Sequence, residues 1–314
     1  MQKIIYNRYG DADLLELRDD FPVPDPKPHE VLINVKAAGV NPVDYKIRNG
    51  SLRFLISRKF PKTPGSEVAG IVEKAGKKDS KFKKGDRVYG MTGMGGGGYS
   101  QYLCIDESYL GLMPERLSFQ EAATIPLAGS TAWQSIVDKG LISAGSHVLI
   151  NGASGGAGMF GVQIAKFHHA IVTAVCSDRN IDFVKELGAD FVINYKEKDF
   201  TSLPKKFDIV FDAVAMSSFS RSKKVLNKKG RYITTVPSFA KYLRTMFNPF
   251  FSKKVFAFLV DPSGKTLDAL NVLVFQDKLN TYIERSFPLH QASEAHKRIE
   301  TGRVRGKLVI RTYD

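Results

Sequence analysis

The sequence predicts an α/β protein in which a doubly wound, mostly parallel sheet is joined to a second, β-rich domain. Two observations lead to this prediction. Up to about residue 122, short β-branched runs are separated by Gly and Pro, which is typical of a β-rich domain with irregular loops. From residue 123 onward, apolar strand-like runs alternate regularly with helical spacing, which is typical of βα units around a parallel sheet.

The strand-like runs define two predicted domains. In the first part of the chain they cover residues 3–6, 30–38, 68–74, 87–89 and 99–105. A helix is predicted over 130–141, and the runs that follow it cover 147–151, 171–176, 191–194, 207–212, 231–236 and 254–260. A further helix over 265–274 precedes two short strands, 283–287 and 307–311, which we expect to return to the first domain. The prediction is a discontinuous β-rich domain over 1–122 and 262–314, and a parallel-sheet domain over 123–261.

Length and composition place the chain among ordinary globular proteins. With 314 residues, 43% of them hydrophobic, it can bury the cores of two domains. The two cysteines, Cys104 and Cys176, cannot build a disulfide framework. The first residues lack the apolar core of a signal peptide, and no apolar stretch approaches the roughly 20 residues that a spanning helix needs. We therefore expect a cytoplasmic location.

The positive charge of the chain is concentrated in one segment. The net charge is +14, and residues 213–260 contain ten basic residues, no acidic one and nine aromatic residues. Such a mixture suits an anionic cofactor, single-stranded RNA or the surface of an anionic membrane. Much of this segment must also form strands and helices, which use aromatic side chains for packing. Binding of RNA or of an anionic membrane is therefore an alternative function, or an addition to catalysis.

A glycine-rich turn follows the first strand of the parallel-sheet domain. The sequence HVLINGASGGAG, residues 147–158, runs from an apolar strand into glycines, and helical spacing begins directly after it. Because residues 171–176 form the next strand, the turn lies within a βαβ unit. Glycines there allow a pyrophosphate to reach backbone N–H groups at a helix N-terminus. The alternative interpretation is an ordinary tight turn between a strand and a helix. The turn predicts a dinucleotide site of the Rossmann type formed by Gly152, Ser154, Gly155, Gly156, Ala157 and Gly158.

Several separated motifs agree on one family. They are AAGVNPVD at 37–44, PGSEVAG at 64–70, KGDRV at 84–88, the glycine turn, LGAD at 187–190 and RGKLV at 305–309. In this order they resemble the zinc-independent branch of the medium-chain dehydrogenases/reductases, the quinone oxidoreductases related to zeta-crystallin. The stretch RNIDFVKELGAD, which begins at Arg179, is most similar to chloroplast-envelope and enone-reducing members. The resemblance implies a GroES-like domain beside the Rossmann domain, and hydride transfer from a nicotinamide to a quinone or an α,β-unsaturated carbonyl.

The resemblance also argues against a metal. Zinc alcohol dehydrogenases of this superfamily carry Cys, His and Cys at the positions that match Asn41, Ser66 and approximately Leu127. None of these ligand types is present here, and the chain lacks the cysteines of a structural zinc lobe. We expect no zinc, and hence no Lewis-acid activation of the carbonyl.

The residues after the second Rossmann strand indicate which nicotinamide cofactor is used. An NAD site usually places a carboxylate at the end of that strand, whereas Ser177 and Arg179 suit the 2′-phosphate of NADPH. Asp178 is the contrary residue, which we interpret as a solvated turn residue that faces away. Resemblance adds Tyr195, alternatively a half-buried aromatic, and Lys46. It also adds backbone that would frame the nicotinamide, at Val236, Pro237, Phe258, Leu259 and Val260.

Three side chains are candidates for catalysis. The Asn41 carboxamide can donate to the acceptor carbonyl or to the nicotinamide, although an Asn before Pro42 is also typical of a helix cap or a turn. Thr131 lies near the nicotinamide by resemblance, and its alternative role is an N-terminal helix cap. Tyr45 is a possible acid, but solvent could supply the proton, so we assign none. The apolar strand 254–260, at the predicted sheet edge, suggests a homodimer.

Overall fold

The computed structural model describes residues 1–54, 56–235, 245 and 247–313. It divides into two compact units. The first comprises Met1–Leu127, Asp261–Val272 and Thr281–Asp314, and the second comprises Ala128–Val260 and Leu273–Asn280. The first boundary therefore lies later than the predicted residue 122, and Leu273–Asn280, which we assigned to the β-rich domain, packs with the other unit.

The second unit contains the predicted doubly wound sheet. Its six strands, in their order across the sheet, are Phe191–Asn194, Ile171–Cys176, His147–Asn151, Phe207–Asp212, Leu226–Thr234 and Lys254–Ala257. All five neighbouring pairs are parallel. The order along the sheet reverses direction between His147–Asn151 and Phe207–Asp212, which is the switch point where such sheets bind ligands.

Helices connect these strands. The helical segments are Pro126–Trp133, Gly156–Phe167, Ile181–Glu186 and Phe219–Ser222, together with a π-helical segment Gln134–Lys139. The helix predicted over 130–141 therefore begins earlier, because Pro126 has a backbone angle preset for the first helical position. The last strand ends at Ala257, before residues 258–260. The fifth strand begins at Leu226, earlier than predicted, because exposed Lys228 and Lys229 interrupt the apolar pattern of its first half.

The first unit is built on antiparallel strands, except that Ile283–Pro288 and Lys307–Arg311 pair in parallel. A small sheet pairs Lys3–Ile5 with Glu16–Arg18. The large sheet has seven strands: Ile283–Pro288, Lys307–Arg311, Glu30–Val40, Glu67–Ala75, Arg87–Met91 and Leu110–Leu112 in spatial order, with Tyr102–Asp106 paired to Glu30–Val40. Its helices are Pro42–Arg48, Phe119–Ala122 and Ala292–Glu300, and the helix Gly264–Phe275 begins in this unit and has its last three residues in the second.

Each unit has its own apolar core. In the first, side chains such as Val31, Ile33, Val68, Val88 and Leu308 are fully buried within the large sheet. In the second, Leu149, Phe207, Val210, Val225 and Tyr232 form the corresponding cluster. Short 3₁₀ segments lie at Ala12–Leu14, Gly93–Gly95, Glu107–Tyr109, Asp178–Asn180, Phe200–Ser202, Asn248–Phe250 and Leu289–Gln291. Within the described part of the chain, none of the helices combines the length and apolarity needed to cross a bilayer.

Candidate active site

The glycine turn of the second unit has the geometry of a nucleotide cradle. Gly152 follows the strand His147–Asn151 with a φ of +80°, which L side chains rarely adopt. The N–H groups of Gly152 and Ala153 both donate to the carbonyl of Val175, at 3.1 and 3.0 Å. The turn is therefore anchored to the neighbouring strand, which fixes the direction in which the following helix starts.

The next two glycines have different roles. Gly155 precedes the helix Gly156–Phe167. Among the described residues, the Gly152 oxygen, at 3.5 Å, is the one atom within 4 Å of a Cβ built on Gly155, so the space above it is open to them. A Cβ on Gly158 would lie 2.1 Å from that same oxygen, so this glycine permits close packing of helix against turn. The first N–H groups of a helix have no intrahelical acceptor and attract anions. The open face at Gly155 thus fits a pyrophosphate, which Gly156 and Ala157 in the first turn would also bind.

Asn180 joins the glycine turn to the end of the second strand. Its amide donates to Ser154 Oγ at 3.0 Å and to Ser177 Oγ at 3.2 Å. Ser177 is buried, whereas Arg179 in the same 3₁₀ turn is exposed. Asn180 was not among the predicted site residues, although an Asn placed three residues after the Ser that follows a strand is a usable signal. The bridge holds the predicted phosphate-binding serine in a fixed position beside the cradle.

Asp178, the carboxylate that argues against a 2′-phosphate site, forms an ion pair. Its carboxylate lies 2.8 Å from Lys196 Nζ, and this hydrogen bond holds the pKa of Asp178 below its usual value. Lys196 follows Tyr195, whose side chain is 59% exposed and whose N–H donates to the carbonyl of Cys176. Tyr195 thus lies at a strand end, as its alternative reading expected, but it is more exposed than a half-buried aromatic.

A buried carboxylate stabilises the strand ends at the switch point. Asp212 accepts hydrogen bonds from Asn151 Nδ2 at 2.9 Å and from the hydroxyl of Tyr232 at 2.8 Å. The backbone N–H of Ser217 also donates to it, at 2.9 Å. Asn151 immediately precedes Gly152, so this network fixes the base of the cradle. Sequence reasoning missed it because the partners come from three different strands.

The first unit contains a second polar cluster, around Asn41. The Asn41 amide donates to Glu67 Oε1 at 2.8 Å, and Lys307 Nζ donates to Asn41 Oδ1 at 2.5 Å and to Glu67 Oε1 at 2.6 Å. All three residues are buried. The carboxamide is thus oriented by an ion pair, with its oxygen already occupied, and only one of its two N–H donors bonds to Glu67.

Three positions in or next to this cluster correspond to the zinc ligands of zinc alcohol dehydrogenases. Asn41 and Ser66 present a carboxamide and a hydroxyl, and Leu127 contributes only a backbone N–H, which donates to Glu67 Oε2 at 2.6 Å. The Lys307 ammonium on Asn41 would also repel a metal cation. Over the residues that the structure describes, no group of three His, Cys, Asp or Glu side chains could hold a metal ion. The residues present do not fit zinc.

Asp44 and Ser66 lie next to Asn41 and line a cavity. Ser66 Oγ donates to Asp44 Oδ1 at 2.5 Å, and the Asn41 backbone N–H donates to Asp44 Oδ2 at 2.8 Å. Burial raises the pKa of Asp44 to about 6. The cavity, of about 220 Å³, lies within the first unit, and its lining also includes Tyr6 and residues 61–65. The sequence analysis named neither Asp44 nor Ser66 as a working group.

The remaining predicted residues are placed as follows. Thr131 is buried inside the helix Pro126–Trp133, so the alternative reading as an N-terminal cap is wrong, since the helix begins at Pro126. Tyr45 and Lys46 are half-buried on the helix Pro42–Arg48, and burial raises the pKa of Tyr45. Phe258, Leu259 and Val260 follow the last strand rather than belong to it. Val236 and Pro237 lie outside the described residues.

The basic segment 213–260 is partly committed to packing. Tyr232 and Val255 are fully buried, and the guanidinium of Arg231 lies over the ring of Phe256. Several basic side chains make intramolecular bonds: Arg221 pairs with Asp199, and Lys253 donates to the carbonyl of Lys223. Residues 236–244 and 246 of the segment lie outside the described residues. These contacts give no specific support to a nucleic-acid or membrane surface.

Comparison with known proteins places the chain in a family. Residues 27–115 match the alcohol dehydrogenase GroES-like domain, and residues 187–310 match the zinc-binding dehydrogenase domain. A chloroplastic quinone-oxidoreductase homolog of Spinacia oleracea is 35% identical over 99% of this chain and 98% of its own length. The chloroplastic NADPH-dependent alkenal/one oxidoreductase of Arabidopsis thaliana is 32% identical over 99% of this chain and 79% of its own length.

Solved structures agree with this assignment. The quinone oxidoreductase from Coxiella burnetii superimposes with a TM-score of 0.91 at 33% identity, over 100% of this chain and 99% of that one. The predicted Rossmann sheet and GroES-like domain are confirmed, as is the family that the motifs indicated. Because the similarity extends through nearly the full length of both chains, this protein belongs to the quinone oxidoreductase family of medium-chain dehydrogenases/reductases and is an oxidoreductase of that kind.

Proposed function

We propose that the protein is an NADPH-dependent reductase of quinones or α,β-unsaturated carbonyls that works without zinc. The observation that carries the proposal is the Asn41–Glu67–Lys307 cluster, which replaces metal ligands with an oriented amide donor. An amide held in place can donate to an oxygen on which negative charge develops. The named activities of the Spinacia and Arabidopsis relatives support the same acceptor class.

Each part of the chain then has a defined task. When bound, NADPH supplies the hydride, and its pyrophosphate would be held by the turn from Gly152 to Gly158. Ser177 and Arg179 would bind the 2′-phosphate, while Lys196 neutralises Asp178, the carboxylate that lies between them in sequence. The Asn41 amide would orient the acceptor carbonyl. Phe258, Leu259 and Val260, at the carboxyl end of the last strand, would frame the nicotinamide.

The test is an acceptor screen. Purified protein is mixed with NADPH and a panel of quinones, enones and alkenals, and cofactor oxidation is followed by absorbance. We expect turnover with at least one acceptor class, unchanged after dialysis against a chelator. Simple alcohols with NADP⁺ serve as the negative control. Absence of turnover with every acceptor, or loss of activity on metal removal and its return with Zn²⁺, would contradict the proposal.

Arg179→Ala should separate the two nicotinamide cofactors. A charge-assisted hydrogen bond is worth about 1.5–3 kcal/mol, so loss of a 2′-phosphate partner should raise the KM for NADPH by roughly 10- to 100-fold. The KM for NADH, which lacks that phosphate, should change little. Lys185→Ala removes an equally exposed positive charge from the following helix and serves as the matched control. Equal effects on both cofactors would refute the assignment of Arg179.

We also propose that the protein is a homodimer in the cytoplasm. Lys254–Ala257 is the last strand in the order of the six-stranded sheet, and such an edge can pair with a second copy. Light scattering tests the dimer, and a monomer mass would contradict it. Imaging of the fluorescently tagged full chain tests the location, and accumulation in an organelle would contradict it.

A further inference from the structure

Two buried polar side chains at the wall of the cavity of the first unit are hydrogen-bonded to each other. Ser66 and Asp44 both line it, and the Ser66 hydroxyl donates to the Asp44 carboxylate at 2.5 Å. Their exposed fractions are only 4% and 2%, so neither belongs to the protein surface. A hydroxyl bonded to a buried carboxyl group, with access to a cavity, is an arrangement that can pass a proton into that cavity.

The surroundings of Asp44 favour a carboxyl group that gains and loses a proton near neutral pH. Its pKa is raised to about 6, mainly by burial and to a smaller extent by the neighbouring Glu67 carboxylate. The Ser66 hydroxyl, the Asn41 N–H and the Lys307 ammonium act in the opposite direction. Two other charged or titratable groups, Tyr99 and Arg48, are electrostatically coupled to this region. The Asp44 carboxyl group is therefore neither permanently ionised nor permanently neutral.

The other polar side chains of the cavity are less suited to donate. Burial and Asp44 itself raise the pKa of the Tyr6 phenol well above its usual value, which makes it a poor acid. Lys62 donates to the carbonyl of Ser57 at 2.5 Å, and Lys59 is exposed. The Ser66 hydroxyl is the one linked directly to a group of intermediate acidity.

We propose that Ser66 is the catalytic proton donor to the reduced acceptor, and that Asp44 is the positioning residue that supplies Ser66 with its proton. The proposal rests on the reductase function proposed above. It assigns the proton step that the sequence alone left open, and it makes the cavity the place where the acceptor oxygen is bound.

A hydride, with its electron pair, forms a C–H bond on the acceptor. The acceptor is thereby reduced by two electrons, and negative charge is left on its carbonyl oxygen. The Ser66 O–H bond breaks as the new O–H bond forms on that oxygen, and Ser66 Oγ takes the proton of the Asp44 carboxyl group. Asp44 remains as a carboxylate, hydrogen-bonded to Ser66 as in the present structure. Water that enters the cavity after the product leaves returns the proton to Asp44.

Ser66→Ala, Ser66→Thr and Asp44→Asn test the relay. General acid catalysis contributes about 10²- to 10⁴-fold, so Ser66→Ala should lower kcat by roughly 100-fold or more, while Ser66→Thr retains the hydroxyl and should recover most of it. Asp44→Asn can keep the bond from the Asn41 N–H but has no acidic proton to transfer to Ser66, so it should also lower kcat. NADPH affinity, measured by fluorescence, and melting temperature are recorded for each variant to show that they are folded.

The pH profile distinguishes a proton relay from a structural role. Because the donor form of Asp44 is protonated, kcat of the wild type should fall as the pH rises through about 6, and this dependence should be absent in Asp44→Asn. A carboxylic acid band in the infrared spectrum should titrate over the same range and be missing from Asp44→Asn, without any turnover. A Ser66→Ala enzyme with wild-type kcat, or a pH profile abolished by Tyr6→Phe instead, would overturn the relay. A wild type that reduces no acceptor contradicts the proposed function itself, whereas the infrared titration still reports on Asp44.

Discussion

Gly155→Val should abolish productive NADPH binding while the protein stays folded. Gly155 has extended backbone angles, φ −85° and ψ 176°, which valine readily adopts. Its Cβ would meet no heavy atom closer than 3.5 Å, so the larger side chain would occupy the space over the helix N-terminus. Loss of two charge-assisted N–H contacts to phosphate, at about 1.5–3 kcal/mol each, should weaken NADPH binding by at least roughly 100-fold. Fluorescence titration with NADPH measures the loss, and thermal unfolding shows that the fold persists.

Gly158→Ala is the contrasting variant on the same turn. Its Cβ would lie 2.1 Å from the Gly152 oxygen and 2.8 Å from Ala153 Cα, both backbone atoms that cannot move independently. The helix would have to shift, so a lower melting temperature should accompany any loss of binding. If Gly155→Val unfolds the protein, or binds NADPH as the wild type does, the assignment of Gly155 to the pyrophosphate is wrong.

The part of the site that could be predicted from the sequence is the part encoded locally. The strand His147–Asn151, the glycine turn and the helix after it lie within one short stretch, and each has its own residue signature. The six parallel strands were predicted for the same reason, because apolar runs of that length are local patterns. Their ends were less well predicted, since Leu226–Gly230 and residues 258–260 depend on neighbours in space.

The polar clusters could not be predicted, because their members are distant in sequence. Lys307 and Glu67 are 240 positions apart, and nothing in the motif around either one specifies the other. Asn151 and Asp212 are 61 positions apart. The sequence indicated that Asn41 occupies the position of a metal ligand, but only the structure shows that an ammonium group bonds to its oxygen. The role proposed for Ser66 likewise depends on its contact with Asp44, 22 positions away.

Lys307→Met should cause the largest loss of stability of any single polar substitution considered for the first unit. Glu67 is completely buried and Lys307 is 3% exposed, so removing the ammonium leaves a carboxylate without its counter-ion. Breaking a buried pair in this way costs about 3–5 kcal/mol, which corresponds to a fall in melting temperature of roughly 10 °C. Asn41 would lose its orienting partner as well, so kcat should decrease together with stability.

Two comparisons isolate the cause of that loss. The double variant Glu67→Gln/Lys307→Met removes both charges and should recover much of the melting temperature, because no unpaired carboxylate remains buried. Lys74→Met breaks an exposed pair with Asp25 and should leave the melting temperature almost unchanged. A deficit in Lys307→Met that the added Glu67→Gln change does not relieve would mean that Lys307 acts through packing of its aliphatic chain rather than through its charge.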